Sequence, residues 1–492
     1  MRSSSITISF LLAFTSSTFS AQAAIHYVDV NSTNPVTPYL SWDTAAVTIQ
    51  DAENVCLIGN GDEILVTNGV YHTGGTSGSR VSIFRAKYVH SINGPDVTII
   101  QGYQPPGTTN GTGSIRCVSA NATTIAGFTV LNGAASDYGG GLFSGPASAP
   151  ATASNCVFVG NVAAFGGGAY GAELVNCRIL SNTARNNGGG CSFSRLINCV
   201  LSNNTAGALG GGAYNCGLTN CLVLGNSASK GGGAYGDQYY VYTVNCTVIS
   251  NSAATAGGVW FTYPPGVAVT VLNDILYWNS ATIDPDFHGD NISGTPVNLA
   301  WCCLPTGFGD HSISNSPLFM DATHNDFRLS PNSPCINAGR NSYVISGTDL
   351  DGNPRIAGGT VDIGAYEFQN PQSVISYGWL QNHSLPTDGS ADYADADGDS
   401  MNNWQEWVTN TDPTNSLSYL QMLTPDGTNN ATGVTIHWQS AGIRYFLQRS
   451  TNLTGPFDTF ATNFYAGVGI ATYRNASATN TGPYFYRVGV QP

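Results

Sequence analysis

NCVFVGN (155–161), NCRILSN (176–182), NCVLSNN (198–204), NCLVLGN (220–226) and NCTVISN (245–251) are five versions of one phrase, and NDILYWN (273–279) is a sixth with both asparagines kept. The opening asparagines lie 21, 22, 22, 25 and 28 residues apart. Five or six residues after each closing asparagine comes a glycine cluster, at 166–168, 188–190, 210–212 and 231–233, then at Gly257 and Gly258. Self-similarity at this period, in short β-rich units, marks a solenoid whose repeats bury their apolar side only against their neighbours. The hexad reads as one strand, its closing asparagine as a turn, and the glycine cluster as the start of the next strand. Asparagine tolerates the left-handed backbone of a sharp corner, and stacked asparagine side chains can hydrogen-bond from rung to rung.

Cys156, Cys177, Cys199, Cys221 and Cys246 each follow an opening asparagine. Equivalent residues on successive rungs lie about 4.8 Å apart with parallel Cβ vectors, whereas a disulfide wants Cβ atoms nearer ~3.8 Å. The column is therefore expected to be reduced and buried, filling the coil as small apolar side chains. Cys302, Cys303 and Cys335 fall outside the column, and a bridge to Cys335 stays open.

The chain has 492 residues, 59 of them glycine, with 9% charged residues and a net charge of −14. Length points to more than one domain, and the glycine content to a turn-rich all-β chain. The acidity argues against nucleic acid and anionic membranes as partners. Residues 1–23 read as an export signal: Arg2, an apolar run from Ile6 to Phe14, and the small-x-small pattern Ala21-Gln22-Ala23. No later stretch has the roughly 18 apolar residues needed to span a bilayer. The expected location is secreted, outside the cell or on its outer surface.

After the signal, 25–30 is strand-like, and 44–56 reads as a helix with Ala45, Ile49, Ala52 and Cys56 on one face and Asp43 as its cap. The open edge of a solenoid needs covering, which makes this helix a lid. Strands are expected at 62–71, 97–101 and 125–131. Residues 24–370 then form the solenoid, 371–416 a linker, and 417–492 a small antiparallel β-sandwich with stretches such as GVTIHWQ, RYFLQRS and YFYRVGV.

The lead-in TIQDAENVCLIGNGDEILVTNGVY, the stretch IAGFTVLNG and the repeated CxxxxN…GGGAY resemble right-handed parallel β-helix proteins of the pectin-lyase-like superfamily. GGGAY and FVGN are also similar to the short repeats of polymorphic outer-membrane proteins. SPLFMDATHNDFRLSPNSPCINAGRN…GTDLDGNPRIAGGTVDIGAYEF, over 316–368, resembles a segment that closes bacterial surface β-helices just before a variable anchor region. The resemblance spans roughly residues 25–370. It implies an all-β, right-handed parallel β-helix and leaves activity open, since the superfamily mixes lyases, hydrolases, epimerases and adhesins.

Three places carry candidate chemistry. Asp395, Asp397 and Asp399 alternate, with Glu406 at the twelfth position of the loop. Calcium takes six to eight oxygens, and this spacing offers three carboxylates, a Met401 carbonyl, Asn403 and Glu406. The run resembles EF-hand and thrombospondin type 3 loops, departing at Ser400 where glycine is usual; the expected role of the ion is structural. Next, the last two repeats lengthen by GDQYYVY and FTYPPG, so Tyr239, Tyr240, Tyr242, Trp260, Phe261 and Tyr263 are expected to emerge together and stack on sugar rings. Finally, Asp284, Asp286, His288 and Asp290 offer acid, base or metal-binding groups in one loop. Between 155 and 279 the basic residues are Arg178, Arg185, Arg195 and Lys230, without an acidic row beside them. Glu173 and Arg195 each precede a rung asparagine by three residues and are expected to pair. Asp62, Glu63, His72, Arg80, Arg85 and Lys87 form no pattern that assigns a role.

The leading expectation is a secreted or cell-surface β-helix that binds extracellular polysaccharide. A polysaccharide lyase or glycoside hydrolase working in a groove along the helix is the alternative, and a structural spacer the third.

Overall fold

The computed structural model describes residues 22–490, except 76–77, 109, 146–148, 238–241, 263–269, 291–297, 427–432 and 480–481. The expected export signal falls almost wholly outside the described residues. So do Tyr239, Tyr240 and Tyr263.

Residues 25–300 wind as a right-handed parallel β-helix with three long sheets. Sheet 1 has eleven strands, from Ile25–Val28 to Asn298–Ala300; sheet 2 has nine, from Ser79–Ile83 to Phe287–Asp290; sheet 3 has nine, from Gly69–Tyr71 to Ile275–Tyr277. One rung runs Glu173–Val175 in sheet 1, Arg178–Leu180 in sheet 3, Thr183–Asn187 in a short fourth sheet, and Cys191–Ser192 in sheet 2. Pairing is parallel and in step, Glu173 opposite Arg195 and Arg178 opposite Val200. The expected Glu173–Arg195 pair forms across these rungs at 2.9 Å.

The asparagines divide the labour differently from the expectation. Each opening asparagine turns the corner from sheet 1 to sheet 3 with φ between 50° and 55°, from Asn155 to Asn273. The second left-handed position is the residue before the closing asparagine: Gly160, Ser181, Asn203, Gly225, Ser250 and Trp278. That corner frees the closing asparagine to point inward. Asn182 Oδ1 accepts from the Asn161 amide (3.0 Å) and Nδ2 (2.9 Å), and the pattern repeats through Asn204, Asn226, Asn251 and Asn279. Asn161 to Asn251 are wholly buried. Buried amides demand partners, and here each rung supplies those of the next. The glycine clusters are steric: a Cβ on Gly189 would collide with the Thr205 and Gly211 carbonyl oxygens.

All twelve cysteines are reduced and buried. The column donates its thiols to backbone carbonyls, as Cys199 does to Ile197 O at 3.3 Å. Cys302 belongs to this column too, donating to Ala300 O and Val271 O, so its exclusion on sequence is corrected. Between Cys246 and Cys302 the column holds Asp274, whose carboxyl burial pushes up to about 7. Cys303 points to a separate apolar cluster with Cys335.

The N-terminal helix is shorter than expected. Ile49–Val55 is helical and capped by Thr48, not Asp43. Ala45 and Ala46 are extended instead, with Ala46 bridging Val28 in parallel, because that backbone completes the first coil. The four residues placed on the buried face are nonetheless buried. Residues beyond 316 return along the outside of the last coils. Ala365 donates to Thr247 Oγ1 and Asn220 to Thr348 O. Arg355 anchors this segment from within, bonded to Glu367 at 2.6 Å and to the Gly364 carbonyl. Beyond 417 come two three-stranded antiparallel sheets, packed around Ile436, Trp438, Tyr445 and Leu447.

Candidate functional site

Position 2 past each glycine cluster lies in sheet 2 with its side chain outward. Phe143, Tyr170, Ser192, Tyr214, Tyr235, Trp260 and His288 occupy one register across the sheet. At the Ser192 rung the neighbouring Phe193 fills the gap. The result is a continuous row of rings, with Tyr138 beside Phe143 and Tyr170. Centroid separations run from 4.4 to 6.1 Å, close to the ~4.8 Å rung spacing that imposes them.

The row has two halves. Tyr214, Tyr235 and Trp260 are 7–8% exposed and pack with Leu209 and Ala256, with Lys230 Nζ 4.5 Å above the Trp260 ring. Tyr138 and Phe193 are about 40% exposed. This open half continues into a cleft of about 420 Å³ that includes Ser79, Ser119, Arg85, Arg116, Phe84 and Phe143 in its wall. Arg116 stands 4.9 Å over the Phe143 ring, held by Asp137 and the Tyr138 and Gly139 carbonyls. The helix shapes the far side: Glu53 accepts the Phe84, Arg85 and Ala86 amides, and Gln50 accepts that of Ser82. Glu53 is therefore a fastener of the wall. Burial raises its carboxyl above the ordinary range.

The expected aromatic patch does not assemble as drawn. Strand alternation turns Phe261 inward, fully buried in the coil, while its neighbour Trp260 faces out. Tyr242 is on sheet 1, a different face, lying over Gly217 and against Arg195. Of the described residues proposed for sugar stacking, Trp260 alone joins the row, in its covered half.

The acidic loop is likewise committed. Asp286 Oδ1 accepts from the Asn279 amide and Nδ2, taking the place of the next asparagine and ending the ladder. Asp284 pairs with His288 at 2.5 Å, and the His288 ring leans on Trp260 at 4.4 Å. Asp290 closes the strand Phe287–Asp290, its side chain outside the described residues. This is architecture at the end of a ladder, with no free acid facing a base among Asp284, Asp286 and His288.

The loop at 395–406 is a different matter. Carboxylate oxygens of Asp395, Asp397 and Asp399 lie within 4.8 Å of one another. Ser400, where glycine was expected, adopts the left-handed turn all the same at φ 79°. Asn402 and Gln405 form a capping box that starts the helix Asn403–Thr409 and sets Glu406 in its first turn. Asn403 Nδ2 donates to Ala391 O at 2.8 Å, which fixes the amide's orientation. Asp397 Oδ2, Asp399 Oδ2, Asn403 Oδ1 and both Glu406 oxygens are buried without a hydrogen-bond partner. Burial, then Asp397, Asp399 and Asp395, push the Glu406 carboxyl up to about 8. Five orphaned oxygen atoms around converging carboxylates fit a hard cation, and an all-oxygen donor set fits calcium.

Neither a scan against protein-family models nor a search of curated proteins finds a match for this chain.

Proposed function

We propose that this chain is an exported β-helix of the pectin-lyase-like kind that binds extracellular polysaccharide on the open half of sheet 2. The observation that carries the reading is the row of rings running into a polar cleft. Rung spacing of about 4.8 Å is comparable with the size of a sugar ring, so a linear glycan lying along the helix axis meets a ring, or a gap of similar width, at each step. Exposed Tyr138 and Phe193 supply apolar contact, Arg116 and the cleft serines supply hydrogen bonds, and rigid strands hold them in place. Calcium at 395–406, through Asp395, Asp397, Asp399, Met401, Asn403 and Glu406, serves as a structural joint before the C-terminal sheets. The segment at 1–23 supports export.

Binding without turnover is favoured because acidic groups near the rings are engaged: Asp237 by Tyr214 and Asn215, Glu53 by three amides, Asp286 by Asn279 and Asp137 by Arg116. Incubation with a panel of acidic and neutral polysaccharides tests this. Retention on at least one, with neither unsaturated products nor new reducing ends, is expected. Product formation would return the lyase or hydrolase reading, and retention on none would favour the spacer.

A further inference from the structure

At the N-terminal end, three side chains of different chemistry converge beneath the first coil. His26 comes from the strand Ile25–Val28, Cys56 from the end of the helix Ile49–Val55, and Asp62 from just before the strand Glu63–Val66. They are 3%, 0% and 1% exposed. A ring nitrogen of His26, the Cys56 sulfur and an Asp62 oxygen all lie within 4.8 Å of one another.

Cys56 Sγ donates to Ala52 O at 3.3 Å, and the other two side chains have bonds of their own. His26 Nδ1 is 2.7 Å from Pro38 O. A carbonyl only accepts, so Nδ1 carries the proton, and in the neutral ring Nε2 presents a lone pair. Nε2 is buried without a hydrogen-bond partner, and its 3.6 Å to Asp62 Oδ2 is too long for one. Asp62 is held by backbone and amide donors: Ala24 N at 2.9 Å and Asn60 Nδ2 at 2.6 Å on Oδ1, Leu57 N at 2.7 Å on Oδ2. A histidine whose far nitrogen is fixed by a carbonyl, beside a carboxylate fixed by amides, is how outer contacts orient metal ligands.

We propose that His26 Nε2, Cys56 Sγ and Asp62 bind one divalent transition metal ion of the zinc class. The ion would fasten the first strand, the helix and the second strand at the edge where the solenoid begins. Mixed nitrogen, sulfur and oxygen donors select such an ion and disfavour calcium. Ligand bonds of roughly 2.0–2.3 Å set tetrahedral donors roughly 3.3–3.8 Å apart, a spacing that His26 Nε2 and Asp62 Oδ2 already have at 3.6 Å. Without metal, burial and the nearby Glu53 and Asp62 carboxylates push the Cys56 thiol up to about 12. Loading therefore exchanges the thiol proton for the ion. One proton leaves for solvent per ion bound, and uptake strengthens as pH rises.

Cobalt(II) is the probe, added to the chelator-stripped full-length chain in calcium-containing buffer. The expected result is a thiolate-to-cobalt charge-transfer band saturating at one equivalent, bleached by zinc, and at least tenfold weaker in Cys56→Ser and in His26→Gln. The 395–406 loop has no cysteine, its one sulfur being the Met401 thioether, and so gives no thiolate band in this readout. Zinc should also raise the thermal midpoint of the wild type and leave that of His26→Gln unmoved. If Cys56→Ser does not fold, His26→Gln alone decides. No band from the folded chain would leave His26 and Asp62 as an ion pair and overturn the proposal. So would an undiminished band in His26→Gln.

Discussion

Asn204 shows what a single residue does in this fold. Its Oδ1 accepts two hydrogen bonds from Asn182, its Nδ2 donates to Asn226 Oδ1 and Ile179 O, and none of it meets solvent. Asn204→Ala leaves two donors of Asn182 buried and unpaired. At 1–3 kcal/mol for an orphaned buried group, partly relieved by water, the expected loss is about 3 kcal/mol of stability. Chemical denaturation followed by circular dichroism measures it; a loss below ~1 kcal/mol would mean that the ladder does not hold the rungs. The recurrence of asparagine was legible in the sequence, but its geometry was not. Two asparagines per hexad look alike as letters. Which one bends the backbone and which one points into the coil depends on the residue before the closing asparagine taking the left-handed turn, as Ser181 and Asn203 do.

At the scale of elements, the joint at 395–406 behaves as a unit. Glu406 sits at the start of its helix, where burial, then the facing Asp397, Asp399 and Asp395, push its carboxyl up to about 8, above the ordinary glutamate value. For an acid shifted upward, the folded state holds the extra proton, and stability falls as pH rises from the unfolded value towards 8. Calcium bound at the proposed site would replace the proton and remove that fall. Without calcium, proteolysis between 388 and 415 should therefore be faster at pH 8 than at pH 5; with calcium it should be slow at both, stabilised by about 2.7 kcal/mol at a hundredfold excess over Kd. Asp397→Ala with Glu406→Ala should abolish the calcium effect and leave the β-helix uncut. Equal cleavage with and without calcium at pH 8 would contradict the site. This motif was readable because its spacing is local. The helix at 49–55 was read too long, because the burial at 45–46 comes with the pairing of Ala46 to the first strand, a contact made across the chain.

Across the whole molecule, the surface depends on which faces remain open. The residues returning beyond 316 cover part of the outer faces of sheets 1 and 3, where Phe327 packs on Leu222 and Ile249, and Tyr343 beside Val244 and Leu272. Sheet 2 keeps an open half from Arg116 to Phe193. The ring at position 2 past most glycine clusters is visible in GGGLF, GGGAY and GGVW, whereas the loop insertions hold more aromatic letters without joining the row. Whether a ring faces in or out follows from strand alternation, which separates Trp260 from Phe261. His26 was unreadable in the same way, since its partners lie about 30 residues on and only the first coil brings them together.

The exposed rings of sheet 2 are the proposed glycan contact. Its most direct test is retention of Tyr138→Ala with Phe193→Ala on the polysaccharide that the wild-type chain prefers. Loss of a stacking ring costs on the order of 1 kcal/mol, so the double variant should bind at least several-fold more weakly, with its thermal midpoint little changed. Unaltered binding per folded molecule with a markedly lower midpoint would contradict the claim and make the whole row a structural spine.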